Sequence, residues 1–161
     1  MNIICFHNPE EENGYLSNWY LRSFVVEEIE YSSMEQYMMV QKAICFKDTS
    51  IAKQILATED VAIIKALGRQ VSNYNESIWN GIRQIIVYKG LIAKFSQNQD
   101  LKEKLLATDP AILTECAVKD CVWGIGLSMK DENRFDLLKW KGQNLLGYTL
   151  MQVRKKLSLE L

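Results

Sequence analysis

The spacing of apolar residues changes twice along this chain. Residues 2–6, NIICF, form a short apolar run that predicts a strand. Residues 22–31, RSFVVEEIEY, alternate loosely about Glu27-Glu28 and predict a hairpin. Between them GYLSN, at 14–18, reads as a loop. From Ser33 on the period becomes helical. A first helix is expected over about 33–46, with Ser32 or Ser33 as its N-cap. Asp48 or Thr49 caps a second, through Leu56, and a third spans about 60–67, stopped by Gly68 at the C′ position. Asn75 opens a longer helix to about Phe95, and Gly81 and Gly90 within it predict either close packing or a break. Asn98 caps a further segment through Leu106. Asp109-Pro110, a cap followed by Pro at the first helical position, predicts a helix to about Val118. CVWGIG at 121–126 reads as a strand or tight turn. The last helix starts near Asn144, and the recurrence of Leu146, Leu150, Val153 and Leu157 marks its core face. The pattern predicts an α+β chain, mainly α, with a small N-terminal sheet or hairpin.

Composition narrows the class. At 161 residues with 48% apolar content, a single domain over 1–161 with a real core is expected. A formal net charge of −1 with no basic stripe argues against bulk electrostatic capture of nucleic acid. No stretch is long and apolar enough to predict a membrane span, and the N-terminus lacks the pattern of a secretory signal. Cys5, Cys45, Cys116 and Cys121 form no C-x-x-C pair, and His7 is the only histidine. Buried reduced thiols in a cytoplasmic protein are expected, with no metal and no cofactor.

The first helix carries the most informative chemistry. On a wheel of about 100° per residue, Glu35, Met39, Lys42 and Phe46 share one face, while Tyr37, Val40 and Ile44 cover the other. A helix apolar nearly all round is usually buried. Glu35 and Lys42 then lie roughly 10 Å apart along the axis, too far for a direct pair but suited to flanking a small ligand. Burial would raise the carboxyl pKa and lower the amine pKa, the states wanted in a general acid and a nucleophile. The alternative is an ordinary helix whose Glu and Lys are exposed or paired elsewhere. Other positions are equally two-sided. Trp123, in DCVWGIG, either stacks on a planar base or fills the core, and Gly124 beside it allows close backbone approach. Asn18 either reads a sugar hydroxyl or base edge, or caps a turn. Arg69, just past a helix end, either forks onto a phosphate or satisfies helix carbonyls. Trp19, Trp79 and Trp140 read as core or rim.

Several ordered blocks carry a family resemblance. They are F-x7-G-x-L-S-N from Phe6, YSSMEQY from Tyr31, QKA at 41–43, KALGR at 65–69 and K-F-x-Q-N at 94–98. LLAT at 105–108, D-x-x-W-G-x-G at 120–126 and W-x-G-Q-N-L-L-G-x-x-L-M-x-V-R from Trp140 complete them. In order and spacing the chain resembles the YbiA-like family, also called NADAR (NAD and ADP-ribose associated). The resemblance implies a YbiA-like multihelical single domain that hydrolyses a ribose C–N bond. The implied substrates are small molecules: ribosylamino-pyrimidine phosphates of riboflavin synthesis, or ADP-ribosyl groups on guanine, with ADP-ribosylated DNA as a further partner. A non-catalytic ADP-ribose or NAD-binding module is the alternative. Carried over by position, Glu35, Lys42 and Asp120 are the implied catalytic residues. Trp123 is carried over likewise as a substrate contact, and Asn18, Arg69, Trp79 and Gly124 are further substrate-binding candidates. For some family members a lysine is thought to trap the opened sugar as a Schiff base, and Lys42 is the matching position. The stretch LSMKDENRFDLLKWK, 127–141, falls where the family varies in length and is expected at the pocket rim.

Overall fold

A computed structural model describes residues 1–160. The elements in chain order are β1 (Ile3–Phe6), β2 (Phe24–Val26), β3 (Ile29–Tyr31), α1 (Met34–Cys45), α2 (Thr49–Leu56), α3 (Val61–Gly68), α4 (Glu76–Gln97), α5 (Gln99–Ala107), β4 (Ile112–Glu115) and α6 (Leu145–Ser158). Short 3-10 turns cover Gly14–Leu16, Glu132–Phe135 and Leu137–Lys139. The chain divides into two compact units, one over Leu21–Gln97, the other made of Met1–Tyr20 and the chain from Asn98 on. The single domain expected over 1–161 includes residue 161, which lies outside the described residues.

The unit over Leu21–Gln97 begins with the expected hairpin, in which β2 and β3 pair antiparallel from Phe24↔Tyr31 to Val26↔Ile29. Its two turn residues, Glu27 and Glu28, both adopt positive φ, which matches the right-handed twist of short hairpins. Phe24, Tyr31 and Tyr37 meet ring to ring, with centroids 5.0–6.0 Å apart. Ser33 caps α1 by accepting from the Gln36 N–H. The Gln36 side chain accepts from the Ser32 N–H at 2.7 Å, one residue before the N-cap, a variant of the capping box. Its amide also donates to Ile55 O and Thr58 O, tying the start of α1 to the end of α2. Asp48 and Asp60 cap α2 and α3 as the spacing predicts.

Two of the three glycine expectations shift here, at Gly68 and Gly81, while the close packing expected at Gly90 holds. Gly68 is the last residue of α3, not a C′ residue beyond it. Its value lies in close approach: a Cβ there would stand 2.1 Å from Met39 Sδ of α1. Gly90 acts similarly, since a Cβ would stand 2.5 Å from the Tyr37 ring. Gly81 has nothing within 4 Å, so neither a tight contact nor a break explains it; α4 runs unbroken through both glycines.

In the second unit β1 pairs parallel with β4, from Ile3↔Ile112 to Phe6↔Glu115. The sheet is therefore not a purely N-terminal one, and β4 occupies the stretch expected to be helical after Asp109-Pro110. That peptide bond is cis, and Ala111 N bonds back to Thr108 O. Tertiary structure overrides the local signal. Arg154 of α6 donates one guanidinium nitrogen to both Thr108 Oγ1 and Ala111 O, each at 2.9 Å, and pairs with Asp109 at 3.5 Å. That grip closes the corner and delivers Ile112 to β1. Leu146, Leu150, Val153 and Leu157 of α6 are buried as expected. The cysteines differ from expectation: Cys116 is buried, Cys5 and Cys45 are half-buried, and Cys121 is exposed.

Among the described residues no helix is long and apolar enough to cross a membrane.

Candidate active site

In the Leu21–Gln97 unit, the buried start of α1 carries the carboxylate. Glu35 is only 5% exposed, in the first turn of the helix. The helix cap is already made by Ser33 and Gln36, so Glu35 is not needed for that task. A carboxylate near a helix N-terminus also meets the positive end of the helix dipole.

Lys42 lies two turns along α1 and is half-buried. Its Nζ donates to Gly68 O, the end of α3, at 2.8 Å and sits 4.6 Å over the Tyr74 ring. The amine pKa is lowered. Burial is the main cause; the Arg69 charge adds to it and the Glu35 charge opposes it. Lys42 thus lies within electrostatic range of both Glu35 and Arg69. The helix-end carbonyl that Arg69 was a candidate to satisfy is held by Lys42 instead, and Arg69 itself is exposed. Trp79 is buried, at 6% exposure, on α4, as a core reading would place it.

Sequence reasoning passed over one buried charge in this unit. Lys94 on α4 is 1% exposed, with Nζ 5.2 Å from the Phe95 ring. Burial, helped by the Arg22 charge, lowers its pKa to about 7. It lies one turn after Gly90 on the same face of α4, and Leu91 and Phe95 on either side are fully buried. Its place in the K-F-x-Q-N block and in a buried apolar stretch was the available signal.

The other sequence-predicted residues belong to the second unit. Asn18 follows the Gly14–Leu16 turn and is 6% exposed. Its neighbour Ser17 makes the local turn, its Oγ accepting from Trp19 N at 3.1 Å. Among the described residues Asn18 Oδ1 is buried without a hydrogen-bond partner. A buried carbonyl oxygen left unpaired is costly, and a bound donor would relieve that cost.

Asp120 is committed to the backbone. Its Oδ1 accepts from Val122 N at 2.9 Å and Trp123 N at 2.8 Å. The segment it orders is a turn, not a strand, and it caps α6. Carbonyls of Cys121, Val122, Trp123 and Gly124 accept from the N–H groups of Gln143, Leu145, Leu146 and Asn144. Those donors at a helix start would otherwise lack partners. Gly124 is buried, and a Cβ on it would press on Asp120 O and Glu115 O at 3.0 Å. Trp123 is half-buried. Asn144, left-handed at φ 52, clamps β4 by donating to Leu113 O and accepting from Glu115 N. In the 127–141 stretch, Leu138 is 96% exposed while Trp140 packs on a small core of Cys116, Ile125 and Leu127.

The NADAR domain model matches residues 5–158. N-glycosidase R617 of Acanthamoeba polyphaga mimivirus is 42% identical over 161 residues, covering 95% of each chain. The NMR structure of E. coli YbiA superposes with a TM-score of 0.82 at 30% identity, covering 99% of this chain and 86% of that one. Riboflavin biosynthesis protein VVA0006 of Vibrio vulnificus is 33% identical over 96% of this chain, which spans 38% of that protein. Fold and relatives place the chain among the N-glycosyl hydrolases. It belongs to the NADAR domain family.

Proposed function

We propose that the chain hydrolyses the C1′–N bond of a small ribosyl substrate carrying phosphate, either a ribosylamino-pyrimidine phosphate or an ADP-ribosyl group on guanine. The observation that carries this reading is Glu35, a buried carboxylate whose helix cap is made by other side chains. Cleavage leaves positive charge on the sugar, and a carboxyl group held out of water can protonate the leaving nitrogen and then stabilise that charge. Water adds to C1′ and gives up a proton, so the products are free ribose-type sugar and the base. Lys42 supports the sugar. As an ammonium it has three donors, one already given to Gly68 O, which leaves others for a substrate oxygen. The covalent route through a Schiff base on Lys42 has its own test: borohydride added during turnover would leave a sugar adduct on that residue.

Arg69 is proposed as a phosphate contact on the strength of its exposure at the end of α3. Asn18 is proposed as a substrate contact because its Oδ1 lacks a partner. Asp120 is proposed to act through the turn that carries Trp123 and Gly124, with the Trp123 indole as a stacking surface for the base. Trp79, buried in α4, is proposed to contribute by packing only. The family match from 5 to 158 runs through both compact units, which supports treating the chain as one functional domain.

Mass spectrometry of products decides among the substrates. A ribosylamino-pyrimidine phosphate, ADP-ribosylated guanine in DNA, and NAD are offered in turn. Release of ribose 5-phosphate or ADP-ribose from at least one, lost in Glu35→Gln, is the expected result. Thermal stabilisation by ADP-ribose with no product from any of the three would instead identify a binding module.

A further inference from the structure

The C-terminal ends of β1 and β4 bring two thiols together. Cys5 pairs in register with Thr114, and Cys116, two residues beyond Thr114, bonds its N–H to Phe6 O at 2.9 Å. Residues two apart on a strand face the same side, so Cys116 emerges on the face that Thr114 and Cys5 share. Cys116 is 1% exposed and forms a small core with Ile125 and Leu127. Cys5, half-buried, packs directly against that core, as do Met129 and Trp140.

The charge of Arg134 acts on both thiols. Arg134 comes from the Glu132–Phe135 turn and is held in place: Nη1 donates to Asp131 O at 2.9 Å, its own carbonyl accepts from Trp140 Nε1 at 2.8 Å, and its guanidinium lies 4.1 Å from the Phe135 ring centre. The Cys116 thiol turned toward Cys5 lowers the Cys5 pKa, and the Arg134 charge adds to that, while burial opposes both. Cys116 is pushed the other way, chiefly by the neighbouring Cys5 sulfur and by burial, with Glu115 contributing. The two thiols therefore have distinct parts. One is reachable and inclined to ionise, and the other is buried and stays protonated beside it. This is the asymmetry that separates an attacking thiol from a resolving one.

We propose that Cys5 and Cys116 form a reversible redox site, in which a peroxide converts the facing thiols into an intrachain disulfide. The Cys5 thiolate attacks one peroxide oxygen, breaking the O–O bond and releasing water after protonation. Cys5 is left as a sulfenic acid. Cys116 sulfur then attacks Cys5 sulfur, the S–O bond breaks, and a second water leaves with the Cys116 proton. Two thiols and one peroxide become one disulfide and two waters. Reduction by a small dithiol restores the pair. The bond would staple β1 to β4 just ahead of the Asp120–Gly124 turn. The site is independent of the glycosidase reading.

The test uses the intact wild-type chain. After hydrogen peroxide, remaining thiols are alkylated in denaturant and the protein is digested without reductant. A cross-linked peptide pair holding Cys5 and Cys116, reversed by dithiothreitol, is the expected product, with Cys45 alkylated as before. Both Cys5 and Cys116 fully alkylated after peroxide, while exposed Cys121 is oxidised, would overturn the proposal. So would Cys5 advancing to sulfinic acid with no cross-link. In Cys116→Ser the reaction is expected to stop at a Cys5 sulfenic acid trapped by dimedone; no trapped adduct counts against it. Arg134→Gln is expected to slow Cys5 oxidation about tenfold near neutral pH, with the gap closing at high pH where the thiol ionises unaided. An equal rate at both pH values would remove Arg134 from the site.

Discussion

Asp120 and Glu35 are both carboxylates close to a helix start, and they are used in opposite ways. Asp120 accepts from two backbone N–H groups and holds a turn whose carbonyls cap α6. Around Glu35 the start of the helix is already capped by Ser33 and Gln36, and Glu35 is buried, at 5% exposure. The same contrast runs through the two units. On β1, β4 and α6, polar side chains such as Asn144, Asp120 and Arg154 are bound to main-chain groups. In the Leu21–Gln97 unit, Glu35 and Lys94 are buried, at 5% and 1% exposure, while Lys42 keeps a main-chain partner in Gly68 O. A buried polar side chain is a better candidate for chemistry once neighbouring side chains have met the needs of the local backbone.

The strongest way to break this contrast is to exchange the two carboxylates for amides. Glu35→Gln is expected to reduce product release about a thousandfold, the scale of a lost general acid, with Tm nearly unchanged. Asp120→Asn keeps an acceptor for Val122 N and Trp123 N, so most activity is expected to remain; a loss as large as that of Glu35→Gln would make Asp120 a chemical participant.

The enclosed amine sharpens the comparison through pH. Lys94 binds its proton more weakly when folded, at about 7, than its ordinary value of 10.5. Between those values the unfolded chain holds more protons, so stability is expected to rise with pH from about 7 toward 10. Tyr15 and Tyr37 are raised to about 12 by burial, so above pH 10 the unfolded chain loses protons first and stability falls again. Urea midpoints across that range check the shape, and Lys94→Met is expected to flatten the rising limb.

Smaller effects come from the packing itself. Gly90→Ala forces a methyl against the Tyr37 ring and is expected to destabilise by about 1–3 kcal/mol. Asp120→Ala removes two backbone hydrogen bonds on a half-exposed turn and is expected to cost about 1–2 kcal/mol. Gly81→Ala, with open space at the Cβ, is expected to stabilise by up to about 1 kcal/mol. Denaturation of the three variants under one buffer ranks them.

Much of the fold was legible in the sequence because its signals were local. Ser33, Asp48 and Asp60 cap the helices that their spacing predicts, and Glu27-Glu28 makes the predicted turn. Asp109-Pro110 misled because the local cue was overruled from a distance by Arg154 and by the pairing of β4 with β1. The burial of Glu35 followed from the apolar wheel of α1. The partner of Lys42 did not, since Gly68 O is 26 residues away. Nor did the backbone duty of Asp120, which depends on the shape of a turn that composition does not fix.

The parallel pairing of β1 with β4 has a consequence for the order of assembly on the ribosome. Ile3 emerges first, but its partner Ile112 follows only after roughly a hundred further residues, several seconds of synthesis. Leu21–Gln97, contiguous in sequence, is complete before then. The nascent N-terminal strand must wait, unpaired and apolar, until late translation supplies its neighbour. A chain truncated near residue 100 should therefore display that strand to chaperones.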